Sequence, residues 1–272
     1  MTTPIRVCVA GATGWAGGAV TAAILRSKEF QLVGAVARRA AGEDVGVALA
    51  SGRAGVVVSS SLEDALETPT DVLIDYTAPG AVRRHVLHAL GRGAAVVVGT
   101  SGLTAADFIE IEGAAVAAGR GVIASGNFSV TAALATHFSL LAARHLPHWE
   151  IVDYADAGKI DVPSGTTREL AERLATVRAG EPGRPLEDLV GPKEARGADV
   201  AGSRVHSLRL PSYVISFETI FGLPDERLTL RHDAGAGAGP YVAGTLLAAR
   251  EASRRPGLIR GLDRLLFGGG AA

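Results

Sequence analysis

Ile5-Arg-Val-Cys-Val-Ala-Gly-Ala-Thr-Gly-Trp-Ala-Gly-Gly18 is the stretch whose reading decides the fold. Its first six residues make a short, mostly apolar run, as expected of a strand buried in a parallel sheet. The run passes straight into a Gly-rich turn, and residues 19–26 continue with helical character. Strand, Gly-rich turn and helix in that order form a dinucleotide-binding arrangement. The spacing is GxxGxxG rather than GxGxxG, with Thr13 where the second Gly would stand. The physical needs are still met. Gly11 permits a tight turn, Gly14 lets a pyrophosphate approach the backbone, and Gly17 brings helix and strand together. For the motif alone an ordinary turn competes; its place directly after an N-terminal strand favours a nucleotide.

The same alternation continues downstream. Strands are expected at 30–37, 56–58, 72–76, 94–98 and 122–124, with helices at 62–66, 81–90 and 104–118 between them. This spacing predicts an α/β fold with a doubly wound parallel sheet. Ligands of such sheets sit outside the carboxyl ends of the strands. Those ends carry Tyr76-Thr-Ala, Gly99-Thr-Ser and Ser125-Gly-Asn. Each is an ordinary loop by itself; at one sheet edge, with the Gly turn, they read as a dinucleotide site. The end of the second strand lies about 20 residues past the Gly turn, where an acid would hold the ribose of NAD. Arg38 and Arg39 stand there instead. Two guanidiniums suit a 2′-phosphate, so NADP is expected, with NAD as the alternative; two solvated loop arginines are the bland reading.

After Asn127 the character changes. A long apolar helix is expected at 130–146, ended by Pro147, then a strand at 149–154. Lys159-Ile-Asp-Val-Pro-Ser-Gly-Thr166 follows, with a helix opening at Thr167. Ser164, Gly165 and Thr166 with nearby Lys159 suit an anion at a helix N-terminus; an ordinary N-cap beside a solvated Lys fits the stretch as well. Residues 180–201 read as a flexible loop over the site. Three strand-like runs at 205–210, 213–221 and 227–232 have short links and are expected to pair antiparallel. A linker at 235–239 leads to a last helix at 241–253. The organisation is therefore Rossmann-type: a dinucleotide domain from 1–127 and 240–272, around an inserted α+β domain at 128–239 for substrate and oligomerisation.

The 272 residues are 47% hydrophobic and 20% charged, with a net charge of −1, as in a soluble globular protein and without the basic footprint of nucleic-acid binding. Cys8 is the only cysteine, which excludes an intrachain disulfide and a thiolate zinc cluster. No stretch approaches the ~20 apolar residues of a membrane span, and no signal peptide is recognisable, so a cytoplasmic protein is expected. His137, His145 and His148 have no metal-ligand spacing, and no metal is expected. His206 and His232 lie on expected strands of the inserted domain, where either could approach a ligand, and read better as satisfied structural residues; Phe217 and Phe221 read as core or subunit interface.

Six segments now point to one family. Val9-Ala-Gly-Ala-Thr-Gly14, Asp75-Tyr-Thr, Gly99-Thr-Ser-Gly102, Asn127-Phe-Ser-Val130, Glu150-Ile and the Lys159–Thr166 run resemble, in order and over nearly the whole chain, 4-hydroxy-tetrahydrodipicolinate reductase (dihydrodipicolinate reductase). The resemblance implies NAD(P)H-dependent reduction of a small cyclic, carboxylated imine, in a homotetramer built on the inserted domain; a homodimer is the alternative. It implies Lys159 as proton donor and Gly165-Thr166, with Ser164, as the seat of a substrate carboxylate. Cofactor contacts carry over to Gly11, Ala12, Thr13, Gly14, Trp15 and Ala16, to Gly99, Thr100 and Ser101, and to Ser125, Gly126, Asn127 and Phe128. Thr77 joins them from its strand end.

Two departures stand out. The family's His-His pair before the Lys is replaced by Ala155 and Asp156, and its Arg in the Gly-rich turn by Trp15, which moves phosphate binding onto Arg38 and Arg39. Losing the imidazole removes the group that titrates nearest neutrality. Tyr154 or Asp156 is then expected to take the acid's role. Reduction of a different imine or imino acid, and cofactor binding without turnover, stand as alternatives.

Overall fold

The structure, a computed structural model, describes residues 3–181 and 183–268. Residues 1–2, 182 and 269–272, which fall within the expected domain segments and loop, lie outside it. In chain order the first elements are β1 (Ile5–Ala10), α1 (Trp15–Leu25), β2 (Phe30–Val36), α2 (Val45–Ala48), β3 (Val58–Ser59), α3 (Leu62–Ala65), β4 (Val72–Asp75), α4 (Pro79–Gly91), β5 (Ala95–Val98), α5 (Ala105–Ala118) and β6 (Gly121–Ala124). Then come α6 (Val130–Ala143), β7 (His148–Ala155), α7 (Gly165–Val177), β8 (Ala198–Val200), β9 (Ser203–Arg209), β10 (Ile215–Leu223) and β11 (Glu226–Asp233). The chain ends with α8 (Gly239–Ala252), β12 (Gly257–Arg260) and α9 (Asp263–Phe267). Two compact units result: residues up to Val130 with Ala238–Leu266, and Thr131–Gly237 with Phe267.

The first unit is a seven-stranded parallel sheet in the order β12-β6-β5-β4-β1-β2-β3. Its strands β4, β5 and β6 are buried at every residue, which is why they read as apolar runs, interrupted only by Asp75 at the end of β4. On one face Val82, Val86 and Ile111 of α4 and α5 close on Leu73, Val96 and Val122; α1 and α8 pack together against the sheet from the other. Local signals set the ends: a Thr104–Asp107 capping box opens α5, and Gly119 at φ +61° closes it. Cys8 lies in the core, where burial pushes its thiol up to about 12, so it is no nucleophile. The seventh strand, β12, was not expected. It is a four-residue edge strand, partly exposed throughout, between the Arg-rich end of α8 and Gly261, and carries no periodic signal.

The second unit is a five-stranded mixed sheet, β11-β10-β7-β9-β8. Its helices cover one face, where Leu140 of α6 and Leu170 and Leu174 of α7 meet Ile151, Phe217 and Phe221. Two expectations are corrected here. First, β9 and β10 do not pair with each other. β7 stands between them, antiparallel to β10 and parallel to β9. The long connection through α7 supplies the crossover that a parallel pair needs, and the short 210–214 link bridges across β7. Second, 180–201 is not a free loop. It holds 3₁₀ turns at Leu186–Asp188 and Lys193–Arg196, then β8. Ala201 and Gly202, both at positive φ, make the tight hairpin into β9.

Candidate active site

In the first unit the strand ends form a cradle. Gly11 has φ +83°, and a Cβ there would lie 2.2 Å from the Tyr76 carbonyl oxygen; at Gly17 it would lie 2.1 Å from that of Gly11. Only glycine permits this approach. Gly14 is the N-cap of α1 and offers no side chain to cap it, which suits an anion at the helix start. Gly11, Thr13, Gly14, Arg38, Arg39 and Thr77 line one cavity of about 970 Å³, with both arginines exposed. Ser60, Ser61 and Arg84 also line it. The sequence reading missed them as ligand groups: Ser61 was legible only as the cap of α3, which it is, and Arg84 looks like any exposed helix residue.

A buried carboxylate organises this edge. Asp75, at the end of β4, is fully buried. Its Oδ1 accepts from Thr100 Oγ1 at 2.6 Å, Thr77 Oγ1 at 2.7 Å and the Thr77 N–H at 3.0 Å. His85 Nδ1 lies 2.7 Å from its Oδ2. Burial alone would raise the Asp75 carboxyl, but the hydrogen bonds from His85, Thr100 and Thr77 outweigh it and hold it below the usual range. The remaining expected contacts divide by what they can offer. Ala12 and Phe128 are buried, so they bring backbone only. Gly99 packs under the Tyr76 ring. Ser101 and Gly126 are exposed, and Ala16 half-buried. Ser125 and Asn127 share a local turn, in which Ser125 Oγ donates to the Asn127 carbonyl at 2.8 Å. Trp15 is half exposed and meets Tyr241 edge-on at 5.3 Å.

In the second unit the Lys159–Thr166 run ends on α7. The helix opens at Gly165 with Ser164 as N-cap, two residues before the expected start. Ser164 does not cap it, because its hydroxyl is drawn to Asp153 at 2.5 Å. Thr167 Oγ1 joins at 2.9 Å and Arg209 Nη2 at 2.8 Å. Burial opposes the charge on Asp153, yet the bonds from Ser164, Arg209 and Thr167 hold its carboxyl below the ordinary range. Lys159 Nζ pairs with Asp161 at 2.7 Å and stays about a quarter exposed. Among the described residues no group of three His, Cys, Asp or Glu side chains could hold a metal, and no helix is long and apolar enough to cross a membrane.

Asp75 and Asp153 set an acid limit on stability. A carboxylate depressed in the fold contributes stability above its unfolded value, near 3.9, and loses it as pH falls towards its folded value. The urea midpoint is expected to hold down to about pH 5 and to fall below about pH 4. In Asp153→Asn the fall should be shallower; an equal slope in variant and parent would count against this assignment.

The chain matches two family descriptions end to end: Dihydrodipicolinate reductase, N-terminus, over residues 5–128, and Dihydrodipicolinate reductase, C-terminus, over residues 129–266. It belongs to the dihydrodipicolinate reductase family. It is 38% identical over 268 residues to the 4-hydroxy-tetrahydrodipicolinate reductase of Desulfitobacterium hafniense, covering 96% of this chain and 98% of the relative. The corresponding protein of Thermosynechococcus vestitus is 36% identical over 272 residues, with 98% of each covered. Dipicolinate-bound dihydrodipicolinate reductase from Paenisporosarcina sp. TG-14 superposes with a TM-score of 0.76 at 28% identity, over 96% of this chain and 99% of that one. The amine dehydrogenase of Mycobacterium smegmatis, at 18% identity and TM-score 0.65 over 96% of each chain, shares the fold.

Within this reductase family the replaced His pair is the chemical question, and the geometry bears on it. Ala155 is buried at the end of β7. Asp156 is exposed, and its Oδ1 accepts from the Gly158 N–H at 2.8 Å, a turn-forming role. Tyr154 follows Asp153 in a strand, so it points to the opposite sheet face from Ser164. There its hydroxyl donates to Glu218 at 2.8 Å, and burial with that bond pushes it up to about 12. The structure does not bring Tyr154 to the Ser164 side. His206 is satisfied by Glu150 at 2.7 Å, in keeping with a structural role, and Phe217 and Phe221 are core.

Proposed function

We propose that this chain is a nicotinamide-dependent reductase of a small cyclic, carboxylated imine, with dihydrodipicolinate as the first substrate to test. One observation carries the reading: the Lys159–Thr166 run that the family resemblance rests on is intact, and Asp153 draws Ser164 away from capping, so α7 opens without a side-chain cap at the end of the loop that carries Lys159. Residues 1–127 and 240–272 serve as the dinucleotide domain, and 128–239 as the substrate and oligomerisation domain.

The glycine cradle and its cavity fit a dinucleotide. Gly11, Thr13 and Gly14 would hold the pyrophosphate, and Arg38 and Arg39 a 2′-phosphate, which makes NADP the preferred form. Thr77, Thr100 and the 125–128 turn would hold the rest. When bound, the nicotinamide supplies a hydride. The chain's own residues bind and orient: the α7 N-terminus, at Gly165 and Thr166, seats a carboxylate through backbone dipoles, while Ser164, whose N–H and hydroxyl both go to Asp153, shapes that end rather than touching the ligand. Lys159 Nζ holds the proton that the reduced nitrogen or carbon requires.

NADPH oxidation with freshly generated dihydrodipicolinate tests this. Turnover within the usual enzymatic range supports the reading. No turnover with it, but turnover with other cyclic imines, moves the substrate and keeps the class. Tight NADPH binding with no turnover on any imine supports a second reading, a binding protein that lost the chemistry; the commitment of Asp156 and Tyr154 elsewhere favours that reading.

The uncovered face of the second sheet carries the Glu150–Arg196–His206 and Tyr154–Glu218–Arg231 clusters beside the exposed Leu208. A second copy of the chain suits this face, as homotetramer or homodimer. A monomer mass in sedimentation equilibrium at working concentration would dismiss it. The chain is read as cytoplasmic.

A further inference from the structure

We infer that Asp153 and Arg209 form the positioning pair of the substrate side, fastening the loop that carries Lys159 at two points. The inference rests on the functional reading above and deepens it. Asp153 Oδ1 accepts from Ser164 Oγ at 2.5 Å and Thr167 Oγ1 at 2.9 Å. Its Oδ2 accepts from the Ser164 N–H at 3.0 Å, Ser207 Oγ at 3.1 Å and Arg209 Nη2 at 2.8 Å. The same Nη2 donates to the Asp161 carbonyl at 2.8 Å. One guanidinium therefore grips the middle of the loop, while one carboxylate grips its end at the start of α7.

Packing does not do this job. Ile160 is 97% exposed and Val162 60% exposed, so the loop's own apolar side chains bury little surface, and its course depends on hydrogen bonds. The grip reaches Lys159 through Asp161. Arg209 fixes the Asp161 backbone, Asp161 Oδ1 pairs with Lys159 Nζ, and the Lys159 N–H closes a turn on the Asp156 carbonyl at 3.0 Å. Asp153 has five donors on two oxygens and no lone pair to spare for a ligand. It is a positioning residue and not a catalytic one. The pair also neutralises itself: Arg209 offsets the buried carboxylate, which would otherwise oppose a substrate anion at α7.

Hydrogen–deuterium exchange and steady-state kinetics on the full chain test the assignment. In Arg209→Ala, peptides covering 157–168 should exchange at least tenfold faster, while those across β10 and β11 keep their rates. A misplacement of about 1 Å near the chemistry can cost about 10²-fold, so kcat/KM for the imine should fall by about that factor. KM for NADPH should stay within about twofold, because Arg209 lies in the second unit. Arg209→Lys, which keeps the charge and one reach, should recover part of both effects. Should the alanine variant not fold, Arg209→Lys and Arg209→Gln carry the same readouts. Unchanged exchange at 157–168 would overturn the inference, as would a uniform rise across the whole second unit, the mark of a merely structural pair. If the parent enzyme reduces no imine, the functional reading fails, and the exchange arm still decides the positioning role.

Discussion

Lys159→Ala is expected to lower kcat for imine reduction by about 10²–10⁴, the range that a positioned general acid contributes. The upper part of that range is the better expectation here. Ala155 and Asp156 stand where the resemblance implies a His pair; Asp156 is spent on the turn at Gly158, and Tyr154 is bound to Glu218 with its hydroxyl pushed up to about 12. Neither of these two side chains therefore stands ready to replace the lost proton donor. KM for the imine should also rise, since a cationic side chain on the loop leading into α7 helps to hold a carboxylate. NADPH affinity should not move. Single-turnover NADPH oxidation separates the chemical step from product release, and a loss smaller than about tenfold would remove Lys159 from the donor's role.

The second large effect is expected at the cofactor. Replacing Arg38 and Arg39 together by Ala should raise KM for NADPH by about 10²-fold and leave KM for NADH nearly unchanged. A hydrogen bond to a charged group contributes about 1.5–3 kcal/mol. Both guanidiniums are exposed at the cavity, where solvent screens them, so the lower end applies to each; about 3 kcal/mol together corresponds to about 10²-fold. Either single variant should show roughly the square root of that change if the two act independently. Measuring kcat/KM with both cofactors decides it: comparable values for NADH and NADPH in the parent enzyme would end the 2′-phosphate assignment.

Much of the architecture was legible because its signals are local. β5 and β6 are uninterrupted apolar runs, β4 is one up to Asp75, and Thr104 announces the start of α5. The Gly-rich turn was legible for the same reason, since φ +83° at Gly11 is a demand that a sequence displays openly. What escaped is non-local. That β9 skips β10 to pair with β7 depends on the competition among strands, and the short 210–214 link points the other way. Asp153 looks like a stray acid in an apolar strand; its partners lie 11, 14 and 56 residues away. Asp75 is similar, tied to His85 and Thr100 by the fold alone. Tyr154 shows the reverse hazard, for a residue beside the right one in sequence lands on the wrong side of a sheet.

The late return of the chain to its first sheet orders events during synthesis. β6 is paired on one side by β5 and on the other by β12, which leaves the ribosome some 130 residues after it. The Tyr76 hydroxyl waits longer still, 169 residues, for Thr245, 2.6 Å away in the finished protein. Throughout that interval a nascent chain displays an unpaired Gly121–Ala124 edge, a template for pairing with a neighbouring chain. The five strands and two covering helices of the second unit, by contrast, all emerge before α8. The domain that begins the polypeptide is thus the last to have all its strands.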